Sequence, residues 1–366
     1  MKNKFLFVLL LLSALFTASC GQRIHTAPTG SAPPVWKAVG GAAVSQDSVN
    51  YTSLFIYNGI PYLAYEDNGY SGPATVMEYT GVSWTAVGNA DFTAGGATNE
   101  SLFVYNGMPY LAYSDLANNG NATVSEYNGV SWTVLGKPGF SAGQANFTSL
   151  YVSGGIPYLA YEDFGNNNKA TVMEYTGVSW TAVGSPGLSP GAAYNVNLQI
   201  AANGTTFVAY ADGANGEKAS VMEFNGSSWV PSGNQWISQG YVDSLSMNID
   251  NSNGTGIPYI AFEDGGNNDQ ITVMELVGNN WMQVGNTGVS SDSLSLFVYK
   301  GTPYMAYGFG SATVIKYNGS AWVVVGNSRF SAGDIYFPSL FVSNGIPYLA
   351  YQDEVNFNKA MVMEFQ

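Results

Sequence analysis

Seven tryptophans, at positions 36, 84, 132, 180, 229, 281 and 322, divide most of this 366-residue chain into near-equal parts, first at intervals of 48 residues and later at 41 to 52. A second block recurs between them: GIPYLAYED at 59–67, GMPYLAYSD at 107–115, GIPYLAYED at 155–163, TTFVAYAD at 205–212, GIPYIAFED at 256–264, GTPYMAYG at 301–308 and GIPYLAYQD at 345–353. A repeat of this period cannot bury its apolar face alone and must stack on its neighbours. Each unit reads as four short strands, which in the first are Ser53–Tyr57, Pro61–Glu66, Ala74–Tyr79 and Trp84–Val87, joined by turns such as Asn58-Gly59. Apolar and aromatic residues occupy both faces of each unit, so both faces should be covered. Seven such units describe an all-β, seven-bladed β-propeller of four-stranded blades.

The chain ends predict closure. Met361 to Gln366 supplies a third strand with no fourth, and Pro34 to Gly40 supplies a Trp-containing fourth strand with no first three. The N-terminal strand should therefore complete the C-terminal blade, removing the edges an open array would leave. The propeller is expected over 34–366.

The segment before it has a different character. Lys2 and Lys4 precede the apolar run Phe5–Phe16 and then Thr17-Ala18-Ser19-Cys20, the layout of an export signal that is too short for an ordinary membrane span. Because the chain's single cysteine stands where that signal should end, the segment resembles a bacterial lipoprotein signal. The resemblance implies a signal over 1–19, lipidation of Cys20, a flexible tether over 20–33, and an extracytoplasmic protein held by lipid at an outer membrane or cell surface. An ordinary signal peptide with an incidental cysteine is the alternative.

Composition excludes several activities. The only histidine, His25, lies in the tether, which leaves no His-based hydrolytic or zinc chemistry in the repeats. Arg23 and Arg329 are the only arginines, so no Arg cluster can clamp a sugar carboxylate. No phosphate-cradling Gly-rich loop is present, which argues against nucleotides. A formal charge of -14, with 11 scattered basic residues, argues against nucleic acid. The expected partners are a surface protein or a glycan, besides the membrane reached through the lipid anchor.

Alternating strand direction sorts the loops. Connections between strands one and two and between three and four are mostly short and share one end. Connections between strands two and three (68–73, 116–121, 164–169) and the blade linkers (such as 88–99) are long and share the other, so the long-loop face is the candidate for binding. Six units place an aspartate there: Asp67, Asp115, Asp163, Asp212, Asp264 and Asp353. A carboxylate ring suits Ca²⁺, cationic groups or sugar hydroxyls, whereas an aspartate leading into a Gly/Asn-rich turn also satisfies backbone N–H groups locally. No other cofactor is expected. A second series, Glu78, Glu126, Glu174, Glu223, Glu275 and Glu364, lies in strand three and reads as an outer stripe or as partners of hydroxyls between blades.

Departures from the repeat carry the functional information. Unit six reads Tyr307-Gly308-Phe309-Gly310-Ser311, without the aspartate, so its sector should be low. The linker into unit five, 233–243, carries the additional Trp236 with Tyr241 and Asp243. Aromatics beside acids and amides suit glycan or peptide contact, and Trp236 serves alternatively as a plug of the ring. The run from Trp36 to Gln366 resembles the kelch-like and WD-like class of seven-bladed propellers, and units such as ATVMEYTGVSWTAVG are similar to repeats of exported bacterial surface proteins. The Gly-His and Trp-Asp marks of the WD class are missing, and the pair Gly95-Gly96 is not matched in every unit. The resemblance implies a non-enzymatic binding or assembly scaffold. The alternatives are a glycoside hydrolase or lyase working through loop carboxylates, and a structural cell-surface component.

Overall fold

The computed structural model describes residues 33–366 apart from positions 70 and 309, and Pro34–Gln366 form one compact unit. The signal-like segment, Cys20 and all but the last residue of the expected tether lie outside the described residues. After β1 (Trp36–Ala38), blade one comprises β2 (Val49–Tyr57), β3 (Ile60–Asp67), β4 (Ala74–Tyr79) and β5 (Trp84–Ala86), paired antiparallel in chain order. The same order repeats in blades two to six, from β6 (Ala97–Tyr105) to β25 (Trp322–Val324). Blade seven contains β26 (Ile335–Ser343), β27 (Ile346–Asp353) and β28 (Lys359–Phe365), and β1 is its fourth strand. The register Trp36↔Phe365 and Ala38↔Met363 joins the ends, flanked by Val35 N–H donating to Gln366 O at 2.8 Å. Closure by the N-terminal strand is thus present.

The recurring tryptophan explains why the period is so strict. Each indole Nε1 donates to a backbone carbonyl of the preceding blade, from Trp84 to Val39 O at 2.9 Å around to Trp322 to Val284 O at 2.7 Å. Trp36 to Val325 O at 2.9 Å closes the circuit. The glycine that follows each fourth strand makes room for the next blade: a Cβ on Gly88 would stand 2.9 Å from the Tyr127 ring, and Gly88 has φ +73°. A second circuit runs nearer the axis, where Ser53 Oγ accepts from Leu102 N, Ser101 from Leu150 N and Ser339 from Leu54 N. The tyrosines Tyr65, Tyr113, Tyr161, Tyr210 and Tyr351 are buried between blades.

First strands line the central channel. Alternation predicts blade one's first strand at Ser53, yet β2 begins at Val49 because a bulge between Asn50 and Ser53 shifts the pattern. The bulge recurs in other blades and places Tyr51, Asn99, Phe147, Asn195 and Phe337 in the left-handed region. Deeper in the channel, the rings of Tyr151, Phe103, Phe55, Phe341 and Phe297 touch in sequence at centroid distances of 4.5 to 5.1 Å. Gln199 and Asn248 interrupt this collar on the side of blades four and five.

Candidate functional site

The two ends of the ring differ in charge. The six strand-three glutamates and Asp250 lie toward the short-loop end, and the other eighteen of the chain's 25 acidic residues lie toward the long-loop end. Among the described residues, only Lys137, Lys169, Lys218, Arg329 and Lys359 offset them there. Such an end attracts cationic groups from a distance and repels polyanions.

The repeated aspartates stand at the base of this end, where the second strand of each blade runs out. Asp115, Asp163, Asp212 and Asp264 each cap a single 3-10 turn, accepting from the backbone N–H two residues on. Asp115 Oδ2 also takes Asn118 Nδ2 and Thr123 Oγ1, both at 2.9 Å, and Asp163 Oδ2 takes Asn166 Nδ2 at 2.7 Å and Thr171 Oγ1 at 2.9 Å. Asp264 accepts from Gln239 N and Gly240 N of the linker before its blade, at 3.1 and 2.8 Å. These carboxylates hold their own loops. Asp67 accepts from Asn68 N at 3.0 Å, and burial raises its pKa. Burial also raises Asp353, whose Oδ1 is buried with no partner.

Among the strand-three acids, Glu126 accepts from the Tyr110 hydroxyl at 3.0 Å and Glu223 from Ser232 Oγ at 3.0 Å. These bonds lie at the short-loop end. Burial, with Glu78 alongside, pushes Tyr62 up to about 12.

An inner acidic row escaped sequence reading. It is the residue before each capping aspartate: Glu66, Ser114, Glu162, Ala211, Glu263, then Gln352 in blade seven. Glu66 is fully buried and accepts from Asn50 Nδ2 at 3.2 Å and Gly72 N at 3.0 Å. Glu162 accepts from Asn146 Nδ2 at 3.3 Å, with Asn168 as a further donor. Glu263, 9% exposed, has an Oε2 with no partner, and burial together with Asp243, Asp269 and Asp292 raises it to about 7. The signal was available in the alternation of ED with SD, AD and QD in the second block.

Glu100 also escaped notice. In blades one and three its position is Thr52 and Thr148, whose hydroxyls donate to the preceding blade at Phe337 O and Asn99 O. Both Glu100 oxygens are buried without a partner, and burial, with Glu66 adding repulsion, raises its pKa well above the usual carboxylate value.

Trp236 lies on the linker into blade five, beside Pro190, Asp212, Asn215 and Gln235, at the rim of a cavity of about 50 Å³. It is 50% exposed, away from the channel-lining residues, and has φ +58°. The matching linker position is left-handed in other blades too, as glycine at 139, 187 and 288 and as Asp91 and Arg329 in blades one and six. A bulky side chain there costs about 1–2 kcal/mol. Tyr241, 45% exposed, lays its ring on Gly265 of the blade-five loop, where a Cβ would stand 2.3 Å from it, and its hydroxyl donates to Asp269 Oδ1 at 3.2 Å. Trp236 therefore borders the loop of blade four and Tyr241 that of blade five. In blade six the second strand ends at Gly308 and the third begins at Ala312, which shortens the connection. Among the described residues no group of three or more His, Cys, Asp or Glu is close enough to hold a metal ion.

No family model matches the chain, and no curated protein matches it. Solved structures do. YCF48 from Cyanidioschyzon merolae aligns with a TM-score of 0.57 at 10% identity, covering 90% of this chain and 98% of that one. An ulvan lyase of a polysaccharide lyase family aligns at 0.54 and 14%, covering 89% and 95%. AofleA from Arthrobotrys oligospora aligns at 0.50 and 11%, covering 82% and 93%. At these identities the likeness is one of fold, and a fold shared by a polysaccharide lyase and YCF48 does not choose a function.

Proposed function

We propose that the protein is a non-enzymatic binding or assembly scaffold outside the cytoplasm, anchored by lipid at Cys20 and recognising a surface protein or glycan with its long-loop end. The observation that carries this is Trp236: a half-exposed indole in a left-handed conformation, at a linker position that is glycine in three other blades and Asp91 or Arg329 in two. Backbone strain of this kind persists at positions that serve recognition, and an exposed indole offers apolar area and an N–H donor to a partner. Tyr241, on the same linker, extends the surface toward blade five.

Asp115, Asp163 and Asp212 organise this surface, because their oxygens accept from their own loops. Catalysis by a carboxylate pair, as a lyase or glycoside hydrolase would use, needs two acids differing in protonation within one groove. Substituting Trp236→Gly and screening glycan and surface-protein panels tests the reading. The expected result is lost binding with unchanged folding, against full binding by Val82→Ser at the opposite end. Retained binding by Trp236→Gly would overturn it.

A further inference from the structure

Blade five breaks a charge rule that blades one and three keep. In blade one the buried Glu66 is paired across the strands with Asn50, and in blade three Glu162 is paired with Asn146. Both amides donate to the carboxylate. The register Val242↔Asp264 matches Val49↔Asp67 and Ala145↔Asp163, but the next pair is Leu245↔Phe262, so Asp243 and Ser244 form a bulge that stands opposite Glu263. The second change is in the loop. Asn168 and Asp269 are equivalent, each left-handed and each with its N–H on the carbonyl of the capping aspartate. Two amide donors of blade three have thus become two carboxylates around the same buried acid.

The direction in which this row points follows from its other members. Ser114 Oγ donates to Ala145 O and Gln352 Nε2 to Val49 O, both at the start of the next blade's first strand. Glu263 has the same place in its blade, and the start of blade six carries Asp292. Asp243, Asp269 and Asp292 are the three acids that repel it. Glu263 Oε2 is buried within this group and unpartnered. A carboxylate cluster of this kind is costly without a counter-charge.

We infer that the junction of blades five and six, built from Glu263, Asp243, Asp269 and Asp292, binds an organic cation, the guanidinium or ammonium group of a partner. The carboxylates are not gathered closely enough for a metal ion. A guanidinium suits wider spacing, since its five N–H donors reach separate carboxylates. Tyr241, hydrogen-bonded to Asp269, adds a part-exposed aromatic ring beside the cluster, and aromatic faces favour cations. The inference deepens the proposed function by naming the partner's chemistry, and rests on it only in that the site belongs to the same end of the ring.

Agmatine, which carries a guanidinium and an ammonium, is a suitable probe. Calorimetric titration at constant ionic strength should show saturable binding to the intact protein, weakened by at least about tenfold in Asp243→Asn/Asp269→Asn, which restores the blade-three pattern. The same double variant should melt higher than the parent when no cation is added. Glu263→Gln provides a second test if the double variant folds poorly, and should weaken agmatine binding likewise. Saturable calcium binding lost in these variants would make the cluster a metal site and overturn the inference. Absence of saturable agmatine binding, or binding that the variants leave unchanged, would also overturn it. Loss of glycan or protein binding in Trp236→Gly without any agmatine binding would preserve the proposed function and reject the cation site. Agmatine binding beside undiminished partner binding in Trp236→Gly would do the reverse.

Discussion

The two ends of this propeller are built from the same strands and obey different rules. At the short-loop end most blades turn tightly, with longer connections only at 201–205 and 251–256, and strand three places Glu78, Glu126, Glu174, Glu223, Glu275 and Glu364 at matching positions, with Lys316 in blade six. At the long-loop end, equivalent positions carry Glu66, Ser114, Glu162, Ala211 and Glu263, or Gly139, Gly187 and Trp236. The difference shows which interactions the ring requires in each blade. The indole bonds span every blade boundary, so each tryptophan is fixed by closure, whereas the long loops need only a cap at their base and are free to vary above it.

The largest test of this contrast is removal of the strand that closes the ring. Deleting residues 33–40 should abolish cooperative thermal unfolding of the whole propeller, because blade seven loses its fourth strand and the Trp36 bond to Val325. Normal melting of the truncated protein would show that closure is dispensable. A smaller loss is expected from Trp180→Phe, which leaves Leu135 O without its donor. Such a change costs about 1–3 kcal/mol, measurable by urea denaturation, and an effect confined to one blade would break the claim of a continuous circuit.

The long-loop end should respond in the opposite direction. Folding raises the pKa of Glu100 and Glu263, so at intermediate pH the native state holds more protons than the unfolded chain. Stability then falls as pH rises, for Glu263 across the window from its ordinary 4.5 to about 7. Melting temperature should accordingly be higher at pH 5 than at pH 7.5. Glu100→Gln should raise the melting point at pH 7.5, by roughly 2–4 °C per kcal/mol gained, and flatten the profile. The smallest effect is expected at Trp236. Replacing it with glycine relieves about 1–2 kcal/mol of left-handed strain, offset by about 0.5–1 kcal/mol from the freer unfolded chain. Stability should therefore rise by no more than about 1.5 kcal/mol, which chemical denaturation can resolve.

Much of the fold was legible because its determinants repeat. The tryptophan period, the Asn-Gly turns and the complementary chain ends each depend on local residue types seen many times over. The start of β2 was not legible, since the bulge at Tyr51 interrupts the alternation on which the strand reading rested. The candidate surface was partly legible: Trp236 and Tyr241 stand out as departures from the repeat. Glu100 did not, because a single glutamate in a polar stretch gives no sign that it is buried. Glu263 was hidden for another reason. It looks like Glu66 and Glu162 until the bulge over Asp243 and Ser244, rather than a ladder-paired asparagine, is found opposite it.

Hydrogen–deuterium exchange of the intact protein with and without a ligand found in the partner screen tests the central claim, that recognition belongs to the long-loop end. The account predicts new protection in residues 233–243 and 265–269, with none at the turns 81–83, 129–131 and 177–179. Protection confined to those turns would contradict it.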